Sequence, residues 1–279
     1  MEIKVRVPGS CGELVQGIHK GKPYLVTCPI DAYTIVWVSD AWQGQEGLGE
    51  KSCLALKLTL DFLGKTSFPY GIRLKSELPH GKGMASSSAD IAAVSAAAAS
   101  ALGKRLSPEE IFRIATAIEP TDPVFFPGHV CANQQDGSIY AEYADWPQLK
   151  IAIFDTGGTV DTLWLHSKFG MVGAEMPPPV FLSDAVSMEQ QIAEAATRSA
   201  QANQMALPKP CFEELLNHAL SRGALGLNTA HSGTVYGVLW PADMPWGDVD
   251  MYAREMAVCM PQLDYLMYAQ MISGGIIYE

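Results

Sequence analysis

Ile3, Val5 and Val7 alternate with Glu2, Lys4 and Arg6 at the start of the chain, a period of two that predicts a half-buried strand. The stretch Pro8-Gly9-Ser10-Cys11-Gly12-Glu13 is expected to break it. Residues 25–30 and 34–38 repeat the strand pattern, so the chain is expected to open as a β-rich sheet. Leucines at 54, 56, 58, 60 and 63 predict a helix over 53–63, and Ile72 and Leu74 alternating with Arg73 and Lys75 predict a strand over 71–78. That strand runs into P-H-G-K-G-M-A-S-S-S-A-D at 79–90, followed by an alanine-rich helix over 87–102 that Gly103 ends. Ser107-Pro108-Glu109-Glu110 then starts a second helix with an N-cap, a proline at the first position and acidic residues in the first turn. Glu119-Pro120-Thr121-Asp122-Pro123 stops it, because two prolines forbid continuation.

Beyond Gly137 the pattern predicts a hairpin-like stretch over 138–143 and an apolar strand over 149–154, which ends in D-T-G-G-T-V-D-T at 155–162. Three consecutive prolines make 171–179 linker-like. The boundary between two units is placed near residue 150, giving 1–150 and 151–279. Helices are expected over 184–204 and 211–222, separated by Pro208 and Pro210. A strand over 236–240, a helix over 248–260 and a strand over 271–278 with Gly274 and Gly275 inside it complete the chain. The order strand, helix, helix, strand, helix, strand predicts an α+β sandwich with helices on one face of a mostly antiparallel sheet.

Composition narrows the function. Nineteen basic against thirty acidic residues in 279 give a formal charge of -11. Nucleic-acid and anionic-membrane surfaces need a basic footprint, so neither partner is expected. A small anion remains compatible, since a nest of backbone N–H groups does not depend on net charge. The six cysteines form no C-x-x-C pair and are expected to be buried, reduced thiols rather than disulfides or a zinc site. The first residues lack the apolar core of a signal peptide, and the apolar run at 91–102 is too short to span a bilayer, so a cytoplasmic protein is expected.

The 79–90 stretch carries the strongest candidate chemistry. Gly81 and Gly83 free the backbone for positive φ, and Ser86, Ser87 and Ser88 offer N-cap oxygens to the following helix. Such a helix end presents unpaired N–H groups and the positive pole of the helix dipole to a phosphate, and Lys82 adds a cation. The same letters also write an ordinary loop-to-helix junction. The spacing is neither G-x-x-x-x-G-K-[ST] nor G-x-G-x-x-G, which disfavours a P-loop NTPase and a Rossmann protein. In E-P-T-D, Glu119 and Asp122 can be held close by a proline-stiffened turn. One could bind a divalent metal while the other takes a proton from a hydroxyl, or both could be capping groups. Val124, Phe125 and Phe126 would bury the turn and raise a carboxylate pKa. Glu13 follows a glycine turn at a strand end, where it could face a cleft or only water.

P-G-S-C-G-E-L-V-Q-G, P-H-G-K-G-M-A-S-S-S-A-D and A-H-S-G-T-V, in that order, resemble the three motifs of the galactokinase, homoserine kinase, mevalonate kinase and phosphomevalonate kinase (GHMP) superfamily. With E-P-T-D, the opening motif looks most like the L-threonine kinase family of adenosylcobalamin synthesis. The resemblance implies an α+β GHMP kinase fold, with a ribosomal-protein-S5-domain-2-like N-terminal half and a ferredoxin-like α/β sandwich as C-terminal half. It also implies transfer of phosphate from ATP to the threonine hydroxyl, with Mg²⁺, to supply the aminopropanol linker of cobalamin; a homodimer is compatible with it. Pro79, Gly81, Lys82, Gly83, Met84, Ala85, Ser86, Ser87 and Ser88 would contact ATP. Glu119 and Ser86 would meet the metal, and Asp122 with Ser86 would serve catalysis. Glu13, Asp31, Asp122, His231, Ser232 and Gly233 would lie at the substrate, with Arg198 and the 155–162 loop as candidates for its carboxylate. Two departures stand out: Ser10 falls where several relatives carry lysine or arginine, so Lys82 is the expected substitute, and the third motif lacks the usual glycine-rich run. A GHMP kinase of another small alcohol and a non-catalytic nucleotide sensor are the rival readings.

Overall fold

Two eighteen-residue strands, β1 (Glu2–His19) and β2 (Lys22–Ser39), form a hairpin at the centre of the computed structural model, which describes residues 1–143, 146–160, 174–175, 178–179 and 186–279. Lys20 and Gly21 join them at φ of 52° and 73°, the left-handed pair that a two-residue hairpin turn requires. The Pro8–Glu13 stretch does not break β1, contrary to the sequence expectation. The strand absorbs it as register shifts against β2 between Pro8 and Val15, and the two strands expected at 25–30 and 34–38 are one. Bulges of this kind bend a strand without ending it.

The other strands are β3 (Gln45–Glu46), β4 (Gly71–Ser76), β5 (His129–Ala132), β6 (Ile139–Tyr143), β7 (Lys150–Asp155), β8 (Ala174–Glu175), β9 (Gly226–Thr229), β10 (Val235–Trp240), β11 (Asp264–Gln270) and β12 (Ile277–Tyr278). The main path of the sheet runs β11-β7-β10-β9-β1-β2-β4-β3. Glu13 of β1 pairs with Thr229 of β9, so strands from both sides of residue 150 share one sheet. The second half holds more strand than its pattern predicts. β9 is buried at every position and shows no alternation, and β11 is an edge strand whose period is broken by a bulge between Tyr265 and Met267. The strand expected over 271–278 shrinks to β12.

The helices are α1 (Glu50–Phe62), α2 (Ser86–Ala101), α3 (Pro108–Thr116), α4 (Met188–Asn203), α5 (Phe212–Ser221) and α6 (Trp246–Cys259). Nearly every residue of α2 is buried, and its alanines let it lie close to β1, β2, α1 and α3. The α3 start is a complete capping box: Glu110 N–H donates to Ser107 Oγ and Ser107 N–H to Glu110 Oε2. Ser187 caps α4, so that helix opens after the expected 184, which with residues 161–162, 171–173 and 176–177 lies outside the described residues. One hydrophobic cluster packs α2 and α3 against β1 and β2 and reaches Ile192 of α4; a second packs α5 and α6 against β10. Among the described residues no helix is long and apolar enough to cross a membrane. The six cysteines are free, with Cys11, Cys28 and Cys131 buried but Cys53 and Cys259 exposed, contrary to the expectation of burial for all.

Candidate active site

The loop from β4 to α2 takes left-handed φ at Gly81 (72°), Gly83 (81°) and Ala85 (54°). Gly83 is pressed against the third motif: a Cβ there would lie 2.8 Å from Gly233 Cα, and one on Gly233 would lie 2.5 Å from Gly83 Cα. Thr234 N–H donates to Lys82 O (2.9 Å) and Ser10 N–H to Met84 O (3.0 Å), so the backbone of all three motifs is stitched together. The serines do not cap α2 as expected. Ala85 occupies the N-cap and no side chain caps the helix, while Ser86, Ser87 and Ser88 lie in its first turn. Ser88 Oγ instead accepts from Asp122 N–H at 3.0 Å, which fixes the E-P-T-D turn to the helix. An uncapped N-terminus with its dipole pointing outward is an anion site.

That end of α2 opens into a cleft of about 520 Å³, bounded by residues 49–52 at the start of α1, the 80–88 loop, Glu119, Asp122, Gln134, Val160 and Ser232. Its lining is acidic, with Glu50, Asp90, Glu119 and Asp122 against Lys51. Glu119 is buried; its Oε2 pairs with the Lys51 ammonium, and its Oε1 is enclosed without a hydrogen-bond partner among the described residues. Lys51 Nζ also lies 3.4 Å from Ser87 Oγ. Burial, with the Glu13 and Glu119 charges adding to it, pushes Asp122 well above the usual carboxylate range. The buried Val124, Phe125 and Phe126 back the turn, as their sequence suggests. Burial also raises Asp90, offset in part by the Thr34 Oγ1 donor at 2.6 Å and by His80.

Not every predicted residue reaches this cleft. Gly81, Gly83, Met84, Ala85, Ser86, Ser87, Ser88, Glu119, Asp122 and Ser232 line it, and Pro79 and Lys82 do not. Lys82 is tied down instead: Nζ donates to Asp155 Oδ2 (2.5 Å) and to Gly158 O (2.7 Å). Glu13 and His231 are buried and turned to each other, Glu13 Oε2 accepting from His231 N–H at 2.7 Å and lying 3.2 Å from Nδ1. His231 Nε2 is 3.0 Å from Ser199 Oγ. Asp31 is exposed and accepts from Gln270 N–H at 2.7 Å, and Arg198 is exposed; neither lines the cleft. Sequence reasoning missed Lys51, Gln134 and Lys209. The buried Lys209 Nζ donates to Ala230 O (2.8 Å) and Asn203 Oδ1 (3.2 Å), holding the third motif from below, and burial lowers its pKa to about 8. A single lysine between Pro208 and Pro210 was the available signal for it.

Residues 51–126, from Lys51 through the E-P-T-D turn, match the GHMP kinases N terminal domain. An L-threonine kinase of Citrobacter freundii is 30% identical over 288 residues, spanning 96% of this chain and 97% of its own. The chain belongs to the L-threonine kinase family of the GHMP kinases. A second member of that family, from Salmonella typhimurium, is 32% identical over 246 residues, 83% of this chain and 81% of its own. In three dimensions the chain resembles the mevalonate kinase of Methanococcus jannaschii (TM-score 0.67, 12% identity, 98% of both chains covered). The homoserine kinase of Cytophaga hutchinsonii is similar too (TM-score 0.65, 16% identity, 100% of this chain and 97% of that one). The α+β fold is thus the GHMP kinase fold.

Proposed function

We propose that this cleft transfers the γ-phosphoryl group of ATP to the side-chain hydroxyl of L-threonine, giving O-phospho-L-threonine. One observation carries the reading: an uncapped helix N-terminus and a carboxylate held above its usual range share one cleft, in a chain of this family. Phosphoryl transfer is mostly positioning and charge neutralisation. The backbone N–H groups of the loop and of the first turn of α2 would hold phosphate oxygens. Asp122 would orient the threonine hydroxyl and accept its proton, and its raised pKa makes it a better base than an ordinary carboxylate. Ser88 holds the Asp122 backbone, and the buried Val124 and Phe125 follow it in the chain. Glu13, His231 and Gly233 act as the frame of the substrate end, with Ser232 at its surface.

The residues present fit Mg²⁺. Glu119 Oε1 is a buried carboxylate oxygen without a protein partner among the described residues, and the Ser86 hydroxyl lies in the same cleft. No group of three or more His, Cys, Asp or Glu side chains able to hold a metal occurs among the described residues. A donor set of one carboxylate and one hydroxyl, completed by phosphate oxygens and water, is what Mg²⁺ accepts. When bound, the ion would neutralise charge on the phosphates. The product would feed the aminopropanol linker of cobalamin.

The test is ADP release from Mg·ATP with L-threonine, L-serine, L-homoserine and mevalonate offered separately, the product being identified by mass. Threonine is expected to be the preferred acceptor and mevalonate inert. Preference for another alcohol would overturn the substrate, and nucleotide binding without transfer to any acceptor would favour a sensor.

A further inference from the structure

A triphosphate brings several negative charges into a cleft whose described lining already holds four carboxylates, so something positive must meet it. Lys82, the cation of the glycine loop, is spent on Asp155 and Gly158 and does not line the cleft. Among the described lining residues the remaining ammonium is Lys51. Its place follows from α1: the helix starts at Glu50, which puts Lys51 in the first turn, facing the first turn of α2 across the cleft. The ammonium lies between two groups with different futures. On one side is Glu119 Oε2, on the other Ser87 Oγ at 3.4 Å, in the first turn of the uncapped α2. The Lys51 side chain is 48% exposed and the Glu119 side chain 7%, so the lysine can swing on its long stem while the carboxylate stays put.

We propose that Lys51 is the phosphate-binding cation of this cleft, and that it exchanges from Glu119 to the nucleotide phosphates as the metal–nucleotide binds. The exchange keeps charges paired throughout. Glu119 gives up an ammonium and gains a divalent cation, and the phosphates gain the ammonium. Lysine suits this role better than arginine, because a compact ammonium on a flexible stem trades partners without breaking a bidentate fork. The inference rests on the reading of the cleft as a Mg·ATP site.

Two binding measurements on wild type, Lys51→Met and Lys51→Arg test it, after the variants are checked for native circular dichroism. Calorimetry follows a non-hydrolysable ATP analogue with Mg²⁺, and electron paramagnetic resonance follows Mn²⁺ alone. Lys51→Met is expected to weaken nucleotide binding about 10- to 100-fold, the loss typical of one charge-assisted contact, and Lys51→Arg to recover most of it. Mn²⁺ without nucleotide is expected to bind Lys51→Met more tightly than wild type, because Glu119 has lost its competing cation. Nucleotide affinity unchanged in Lys51→Met would overturn the phosphate role, and Mn²⁺ affinity unchanged or weakened would overturn the exchange. Failure of the wild type itself to bind the Mg²⁺ nucleotide would instead strike the Mg·ATP reading on which both rest.

Discussion

Asp122 has to ionise beside two other carboxylates. Burial comes first, and the Glu13 and Glu119 charges then raise it further. In an unfolded chain it would titrate as an ordinary carboxyl, so the two states differ in proton uptake and stability depends on pH. Below the ordinary carboxylate range both states are protonated and Asp122 costs nothing. As pH rises through that range toward the raised value, the unfolded chain gives up its proton more readily, and folding stability is lost. Asp122→Asn keeps the backbone N–H donor to Ser88 and removes this burden. It is expected to melt at a higher temperature than wild type at neutral pH, with the difference vanishing in acid. Its kcat is expected to fall by about 10²- to 10⁴-fold, the usual worth of a positioned base. In wild type the acidic limb of kcat should lie above the range of an ordinary carboxylate. Thermal melts across pH and steady-state kinetics check all three; wild-type turnover in Asp122→Asn would remove it from the chemistry.

At the scale of elements, the site depends on two loops that approach closer than side chains allow. Gly83 and Gly233 meet across the second and third motifs, and Gly83 also needs its left-handed φ. Gly83→Ala is therefore expected to cost about 1–3 kcal/mol in strain and displacement, and to weaken nucleotide binding as the loop shifts off α2. Denaturant melts and calorimetry would read both effects, and a variant with wild-type stability and affinity would contradict the close approach. This contact explains how the third motif does without its glycine-rich run. One glycine takes the close approach, and Lys209, His231 and Glu13 hold the rest of the loop from beneath. The glycine loop, the E-P-T-D turn and the N-cap of α3 were legible because local chemistry decides them. The cap of α2 was not, since the run of serines promised side-chain caps that tertiary contacts with Asp122 and Lys51 divert. Lys51 was illegible for the same kind of reason: a leucine-rich run of mixed periodicity locates α1 but does not say what faces its first turn. β9 and β11 hid behind full burial and a bulge, each of which erases the period of two.

At the scale of the whole molecule, the long bulged β1 brings the three motifs together. It carries the first motif past the glycine loop through Ser10 and past the third motif through Glu13 and Gly12, where a Cβ would stand 2.6 Å from Ala230. The second and third motifs, from either side of residue 150, thereby meet at one cleft. The chain is acidic overall, at -11, and so is the described lining of that cleft, so on the proposed reading an incoming phosphate would be met by the N-terminus of α2, Lys51 and the metal it brings. On the proposed reading, phosphate and acceptor meet between the N-terminus of α2 and Asp122. The most direct measurement is a crystal structure with L-threonine, Mg²⁺ and a non-hydrolysable ATP analogue bound together. The terminal phosphate is expected on the first turn of α2 and the threonine hydroxyl within hydrogen-bond reach of Asp122. A nucleotide bound elsewhere, or a threonine hydroxyl turned away from Asp122, would contradict it.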